Sequence, residues 1–178
     1  MLGSPTKPRT GSIRPDTTRH ILDALRRVVQ SLRVSARAAE ANLGLSGAQL
    51  FVLQKLSEES GLSVNDLAQR TLTHQSSVSV VAARLVEKKL LSRERSPKDA
   101  RRLELSITPA GRAVLRRSPL AAQEKLIEGI SRLKERDRAQ LASLLDQLTE
   151  LSGISGEAPR MFFDNDPPHS NSSKRKRR

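Results

Sequence analysis

The chain has 178 residues, with 32 Lys and Arg against 19 Asp and Glu, and its formal charge of +13 calls for a polyanionic partner, either nucleic acid or an anionic membrane surface. It has no Cys, Trp or Tyr and 3 Phe, which excludes disulfides, thiolate-ligated zinc and thiol-based oxidation sensing, and leaves few platforms for stacking single-stranded bases. His20, His74 and His169 are spread along the whole chain, which argues against a His-built metal site, and no apolar run nears the roughly 20 residues that span a bilayer. The expected class is a soluble, intracellular, basic protein, cytoplasmic and associated with the nucleoid rather than with membrane.

Residues 1–16 and 154–178 are rich in Pro, Ser, Gly and Asn; counted over 1–19 and 153–178, each end carries a net +3, against +7 for residues 20–152. Such segments bury too little apolar surface to offset chain entropy, so both are expected to be disordered tails. Met1–Pro15 lacks the apolar core of a secretory signal. Lys174–Arg178 is wholly cationic, either a solvated tail with non-specific phosphate attraction or a nuclear localisation signal. Phe162 and Phe163 form a small apolar spot in the polar tail, either a docking motif or neutral surface.

Between the tails, Ile21, Leu25, Val28, Leu32, Ala36, Ala39 and Leu43 recur at steps of 4 and 3, which predicts a long helix over about 17–42 whose narrow stripe needs another helix. Ser46 with Gln49, and Ser63 with Asp66, read as capping boxes opening two further helices. The first of these carries Leu50, Leu53 and Leu56 to about Glu58, and the second ends near Thr71. Thr73 is the expected N-cap of a fourth helix running to about Lys89, with Val78, Val81, Ala82 and Leu85 inward. Its opening turns hold His74, Gln75, Ser76, Ser77, Ser79 and Val80, which are small and polar for a helix start. Two strands follow, about Leu91–Arg95 and Leu103–Ile107, joined by a long hairpin tip. Residues 92–102 hold Arg93, Arg95, Lys98, Arg101 and Arg102 against Glu94 and Asp99, a local +3. Thr108 and Pro109 then open a helix as N-cap and first residue, with a kink or short break expected near Arg117–Pro119. A last helix over about Lys134–Leu151 carries Leu141, Leu144, Leu145, Leu148 and Leu151.

This order predicts a mainly α fold with a two- to three-stranded wing: a winged helix-turn-helix over 45–107, flanked by helices over 17–44 and 108–153. In such a unit the polar-started helix enters the major groove of duplex DNA and the cationic hairpin reaches phosphates or the adjacent minor groove.

The stretch from Leu45 to Leu115 resembles the multiple-antibiotic-resistance regulator (MarR) family of transcription factors. The likeness rests on Leu67-Ala68, on Ser77-Val78-Ser79, on Arg84-Leu85 and the Lys88–Leu91 exit, on Arg95-Ser96-Pro97 leading into Asp99-Ala100-Arg101, and on Leu105–Arg112. The resemblance implies a homodimer, with the flanking helices as its dimerisation region and two winged units reading an inverted repeat. It places Arg101 in the minor groove, braced by Asp99, with Ser76, Ser77 and Ser79 on phosphates or base edges. Gln75 and His74 would be further readers and Arg84 a backbone-phosphate contact. It also implies a small aromatic or phenolic anionic ligand between the dimer region and the winged unit, and no cofactor. Lys89 departs from the family pattern, which has Gly there as a left-handed helix cap; the same geometry would strain Lys by roughly 1 kcal/mol. Two classes of function fit: a sequence-specific regulator, expected to act as a repressor, and a winged helix that serves protein interaction or attracts DNA without sequence preference. An enzyme has no support, because there is no His–carboxylate cluster and no Gly-rich phosphate loop.

Overall fold

The computed structural model describes residues 15–97, 99, 101–118, 120–154 and 160–164. In chain order these form α1 (Pro15–Leu43), α2 (Gly47–Glu58), α3 (Val64–Thr71), α4 (Gln75–Glu87), β1 (Leu91–Arg95), β2 (Leu103–Ile107), α5 (Pro109–Leu115), α6 (Ala122–Ser131) and α7 (Glu135–Leu151). Most of the expected tails, together with Lys98, Ala100 and Pro119, lie outside the described residues.

The helix starts follow local chemistry. Both capping boxes form: the Ser46 and Ser63 hydroxyls accept from the Gln49 and Asp66 amides, and the Gln49 and Asp66 side chains accept from the Ser46 and Ser63 amides in return. Thr108 caps α5 through Gly111 N–H, with Pro109 at the start of the helix. The α4 start differs from expectation. Its N-cap is His74, whose side chain makes no capping bond. The Thr73 hydroxyl instead donates to the Thr71 carbonyl at 2.9 Å. The cause is the tight α3–α4 turn. Leu72 takes a left-handed conformation (φ +51°), which turns the Thr73 amide onto Ala68 O at 3.0 Å and commits Thr73 to closing α3.

α2 is the centre of the molecule. Leu50, Leu53 and Leu56 point inward as expected, but Ala48, Phe51, Val52 and even Gln49 are buried too, so the helix is enclosed rather than one-sided. α1, α3, α4, α5 and β2 all pack on it. Gln54 justifies its burial by accepting from the Ala121 amide at 3.1 Å. Lys55 reaches Glu124 of α6 at 2.8 Å. Burial alone pushes the Lys55 ammonium toward neutrality, but hydrogen bonding and charge from Glu124, with Glu58 beside it, outweigh that and raise its pKa above the usual value.

β1 and β2 pair antiparallel with Leu91 opposite Ile107 and Arg95 opposite Leu103. A bridge between Leu62 and Leu105 ties the α2–α3 connection to the same sheet as a short third member. α5 and α6 are separate helices, so the break expected near Pro119 is complete. The α1 stripe divides: Leu32, Ala36 and Ala39 are buried, whereas Ile21, Leu25 and Val28 stand exposed. No residue of α7 is buried. One stretch expected to be a disordered tail is not: residues 160–164 lie against the core, with Met161 4% exposed among the core leucines.

Candidate nucleic-acid interface

Helical phase decides which residues of α4 are available. Successive side chains advance by about 100°, so residues 76, 79, 80 and 83 share one face, and 77, 81 and 84 turn away from it. His74, Gln75, Ser76, Ser79 and Val80 are all exposed. They leave a ridge of short side chains over which a groove floor can come close to the backbone. The opposite face, with Val78, Val81, Ala82 and Leu85, locks α4 onto α2 and α3. With no side chain capping the α4 start, its first amides and the positive end of the helix dipole remain directed outward.

Two of the expected contacts face inward. Ser77 is 9% exposed and Arg84 5%. The Arg84 guanidinium donates to Asp164 Oδ1 at 2.6 Å, a contact within the protein. Both residues have the right chemistry for DNA, but seven positions is two helical turns, so they share a phase, and that phase is the core side.

The wing carries its charge outward. Arg93, Arg95, Asp99, Arg101 and Arg102 are exposed. Asp99 braces Arg101 through the backbone, its Oδ1 accepting from Arg101 N–H at 2.9 Å, which shapes the tip and leaves the guanidinium to other partners. Asp99 O also accepts from Arg102 N–H at 2.9 Å, and Arg102 O accepts from Ser96 N–H at 2.8 Å, closing the turn. The Arg102 side chain is tied back to Asp66 on α3. Asp66 accepts from the Ser63 hydroxyl and amide and faces Arg102, and these together hold its carboxyl below the ordinary carboxylate value. Arg102 thus links the wing to α3.

Sequence reasoning passed over Asn65, Gln69 and Leu72. They line an open hollow together with His74 and Gln75, at the mouth of the α3–α4 turn. Asn65 and Gln69 are four apart on the outer face of α3, and that polar i, i+4 spacing was the available signal. Leu72, 73% exposed at the tip of the turn, carried no comparable signal.

At the base of the wing, Lys89 adopts φ +59°, the left-handed cap that the family pattern fills with Gly. Thr108 Oγ1 donates to Lys89 O at 2.8 Å, and Thr108 N–H donates to Leu90 O at 3.1 Å. Gly111 lies so close beneath this junction that a Cβ on it would stand 2.4 Å from Leu90 O. α4, the wing and α5 are therefore joined through one tight backbone knot.

Among the described residues there is no cluster of His, Cys, Asp or Glu able to hold a metal ion, and no helix is long and apolar enough to cross a membrane. The MarR family model matches residues 43–102, which run from the end of α1 to the wing. A protein of Thauera aromatica named as a transcriptional regulatory protein for the hcr operon is 32% identical over 120 residues, 67% of this chain and 72% of its own length. The transcriptional repressor MdtR of Bacillus subtilis is 28% identical over 127 residues, covering 71% of this chain and 82% of the relative. Among solved structures, a transcriptional regulator from Pseudomonas aeruginosa superposes with a TM-score of 0.51 at 31% identity, over 74% of this chain and 98% of that one. The regulator BldR of Sulfolobus solfataricus shares the fold, with a TM-score of 0.50 at 24% identity over 80% of this chain and 99% of that chain. An outward-facing polar helix, a cationic wing and these relatives converge on one reading: the chain belongs to the MarR family of winged-helix, DNA-binding transcriptional regulators, which are not enzymes.

Proposed function

We propose that the protein works as a homodimer that binds a pseudo-palindromic operator and represses transcription from it. The observation that carries this reading is a conjunction. A self-contained winged unit presents a polar ridge and a cationic wing, while the flanking helices leave Ile21, Leu25 and Val28 on α1 and Leu141, Leu144, Leu145 and Leu148 on α7 exposed. An apolar stripe left exposed on each of two long helices marks an interface, and a second copy supplies a matching one by symmetry. Two winged units held on a two-fold axis then meet half-sites about one helical turn apart. Repression is the role named for the Bacillus subtilis relative.

Within this reading His74, Gln75, Ser76, Ser79 and Val80 lie along the major groove, with Asn65 and Gln69 at its edge. Arg101 enters the minor groove, and Arg93, Arg95 and Lys98 contact phosphates. Ser77, Asp99 and Arg102 act indirectly, by holding α4 and the wing in place. A small aromatic or phenolic anion is the class of effector that would relieve repression, and it does so only if it binds one spacing of the two winged units better than the other.

The test is binding to fragments selected from the source genome, in the presence of excess competitor duplex. A sequence-specific dimer retains its operator, protects two half-sites on one face of the duplex, and loses about 1–3 kcal/mol of operator affinity in Arg101→Ala. Binding that competitor abolishes would mean generic attraction driven by the +13 charge. A single protected half-site would count against the symmetric dimer.

A further inference from the structure

Residues 160–164 are the unexpected part of the molecule. They follow α7 in sequence, in a stretch whose composition predicts a tail, yet they return to the winged unit. Met161 is in the central core. Phe163 packs where α1 crosses the start of α2, its Cβ 3.5 Å from the point where a Cβ on Gly47 would lie, and with Phe162 it lines a crevice shared by Leu32, Ser35 and Ala36. A turn closed by Asp164 N–H to Met161 O at 3.3 Å, with Phe163 in the left-handed region (φ +57°), aims the Asp164 carboxylate at Arg84 on α4. Both side chains of that pair are almost wholly buried, at 6% and 5% exposure.

Burying two opposite charges gains little net stability, because desolvation consumes most of the attraction; what such a pair supplies is a defined register. Here the register is between the recognition helix and the α1–α2 junction. The segment also sits on the core side of α4 and leaves His74, Gln75, Ser76, Ser79 and Val80 uncovered. It holds the reading helix without masking it.

We propose that Met161–Asp164 is a releasable latch: docked, it pins α4 against α1 and α2 and so pre-organises the recognition helix, and released, it weakens operator binding. This rests on the operator-binding reading above for its consequence, though not for the latch itself. A pre-organised element has less freedom to lose on binding, so affinity falls when the latch is opened. The Lys174–Arg178 block acts in a different way, through phosphate attraction, and the two are separable by salt.

The full chain serves for the test. Amide hydrogen exchange without DNA reads the latch directly. In Asp164→Asn, amides of 161–164 and of the second half of α4 should exchange at least about tenfold faster, with Met161→Ala moving the same amides. Glu150→Gln, which removes one negative charge from exposed α7, should leave them unchanged. Operator affinity should fall several-fold in Asp164→Asn with the slope of log affinity against log salt unaltered, whereas removing residues 174–178 should flatten that slope. Replacing the pair together, Arg84→Met with Asp164→Leu, keeps the packing and should restore much of the affinity. Unchanged α4 exchange in Asp164→Asn overturns the latch, whatever the DNA result. Faster exchange with unaltered operator affinity removes its regulatory role, and failure of the paired replacement to recover affinity would place Arg84 on the DNA instead. If the wild-type chain binds no operator specifically, the operator reading fails while the exchange data still judge the latch.

Discussion

The winged unit and the flanking helices solve the same problem in opposite ways. α2, α3, α4 and the wing bury Leu50, Phe51, Leu53, Leu67, Val78, Val81, Leu85 and Leu105 at or near completion within one chain. α7 buries nothing, and the first half of α1 leaves its aliphatic side chains in solvent. α1, at 29 residues, is about 43 Å long, far more than its contacts with α2 and α6 occupy. The winged unit completes its core within one chain, Ala121 and Met161 included, whereas the flanking helices leave much apolar surface uncovered. Stability of the first should not depend on protein concentration, and that of the second should.

The strongest way to break this comparison is to spoil the unfinished surface alone. Leu144→Glu combined with Leu148→Glu should yield monomers by sedimentation. It should also cost on the order of 100-fold or more in operator affinity, since one head loses the advantage of its tethered twin. Far-ultraviolet circular dichroism of the winged unit should persist. Retained dimers, or monomers that bind the operator undiminished, would show that the apolar stripe on α7 is not the interface.

The reverse lesion is Gly111→Ala. Its methyl would stand 2.4 Å from Leu90 O and 2.8 Å from Ile107 Cγ1, both parts of the tight junction at the wing base. Overpacking of this kind costs about 1–3 kcal/mol, and the drop in melting temperature should be the same in the monomeric background as in the wild type. A drop confined to the dimer would mean that α5 belongs to the assembly rather than to the reading head.

Acid should sharpen the same boundary from inside the head. The Asp66 carboxyl lies below its unfolded value because the Ser63 hydroxyl and amide and the Arg102 guanidinium favour its charged form. Its stabilising effect is therefore complete above about pH 4 and is lost as pH falls through the lower, folded value. Asp66→Ala should cost about 1 kcal/mol at neutral pH, with the gap to wild type closing in acid. A constant gap across the acid limb would mean that packing, not charge, is what Asp66 contributes.

How much of this was legible in the residues depends on how local the governing physics is. Capping at Ser46, Ser63 and Thr108, the strand limits and the wing were readable because each is decided within four or five neighbouring positions. The DNA roles of Ser77 and Arg84 follow from the family resemblance, whereas the inward placement of Val78, Val81 and Leu85 fixes the phase that buries both. The α4 cap went to Thr73 because nothing local announces that Leu72 adopts a left-handed turn. Phe162 and Phe163 offer a docking motif as one of two readings, but the pairing of Asp164 with Arg84 on α4 is not legible, since it joins positions 80 residues apart.

Lys89 is the smallest effect and the most exacting test of the reading head as a self-contained unit. Its φ of +59° crowds Cβ against the following carbonyl. Its amide still donates to Val86 O at 2.9 Å, and the next amide, of Leu90, donates to Leu85 O at 2.9 Å, so the cap is made in full despite the side chain. Lys89→Gly removes the crowding but frees the unfolded chain, and the balance should favour the folded state by about 0.5–1 kcal/mol. Lys88, one residue earlier, has φ −74° and gains no relief from Gly, and its Nζ donates to Gly44 O at 2.7 Å, so Lys88→Gly should destabilise instead. Opposite signs at adjacent lysines, read by chemical denaturation at fixed protein concentration, tie the effect to backbone geometry. Equal signs would assign it to lost charge, and the left-handed cap would no longer explain why the helix ends there.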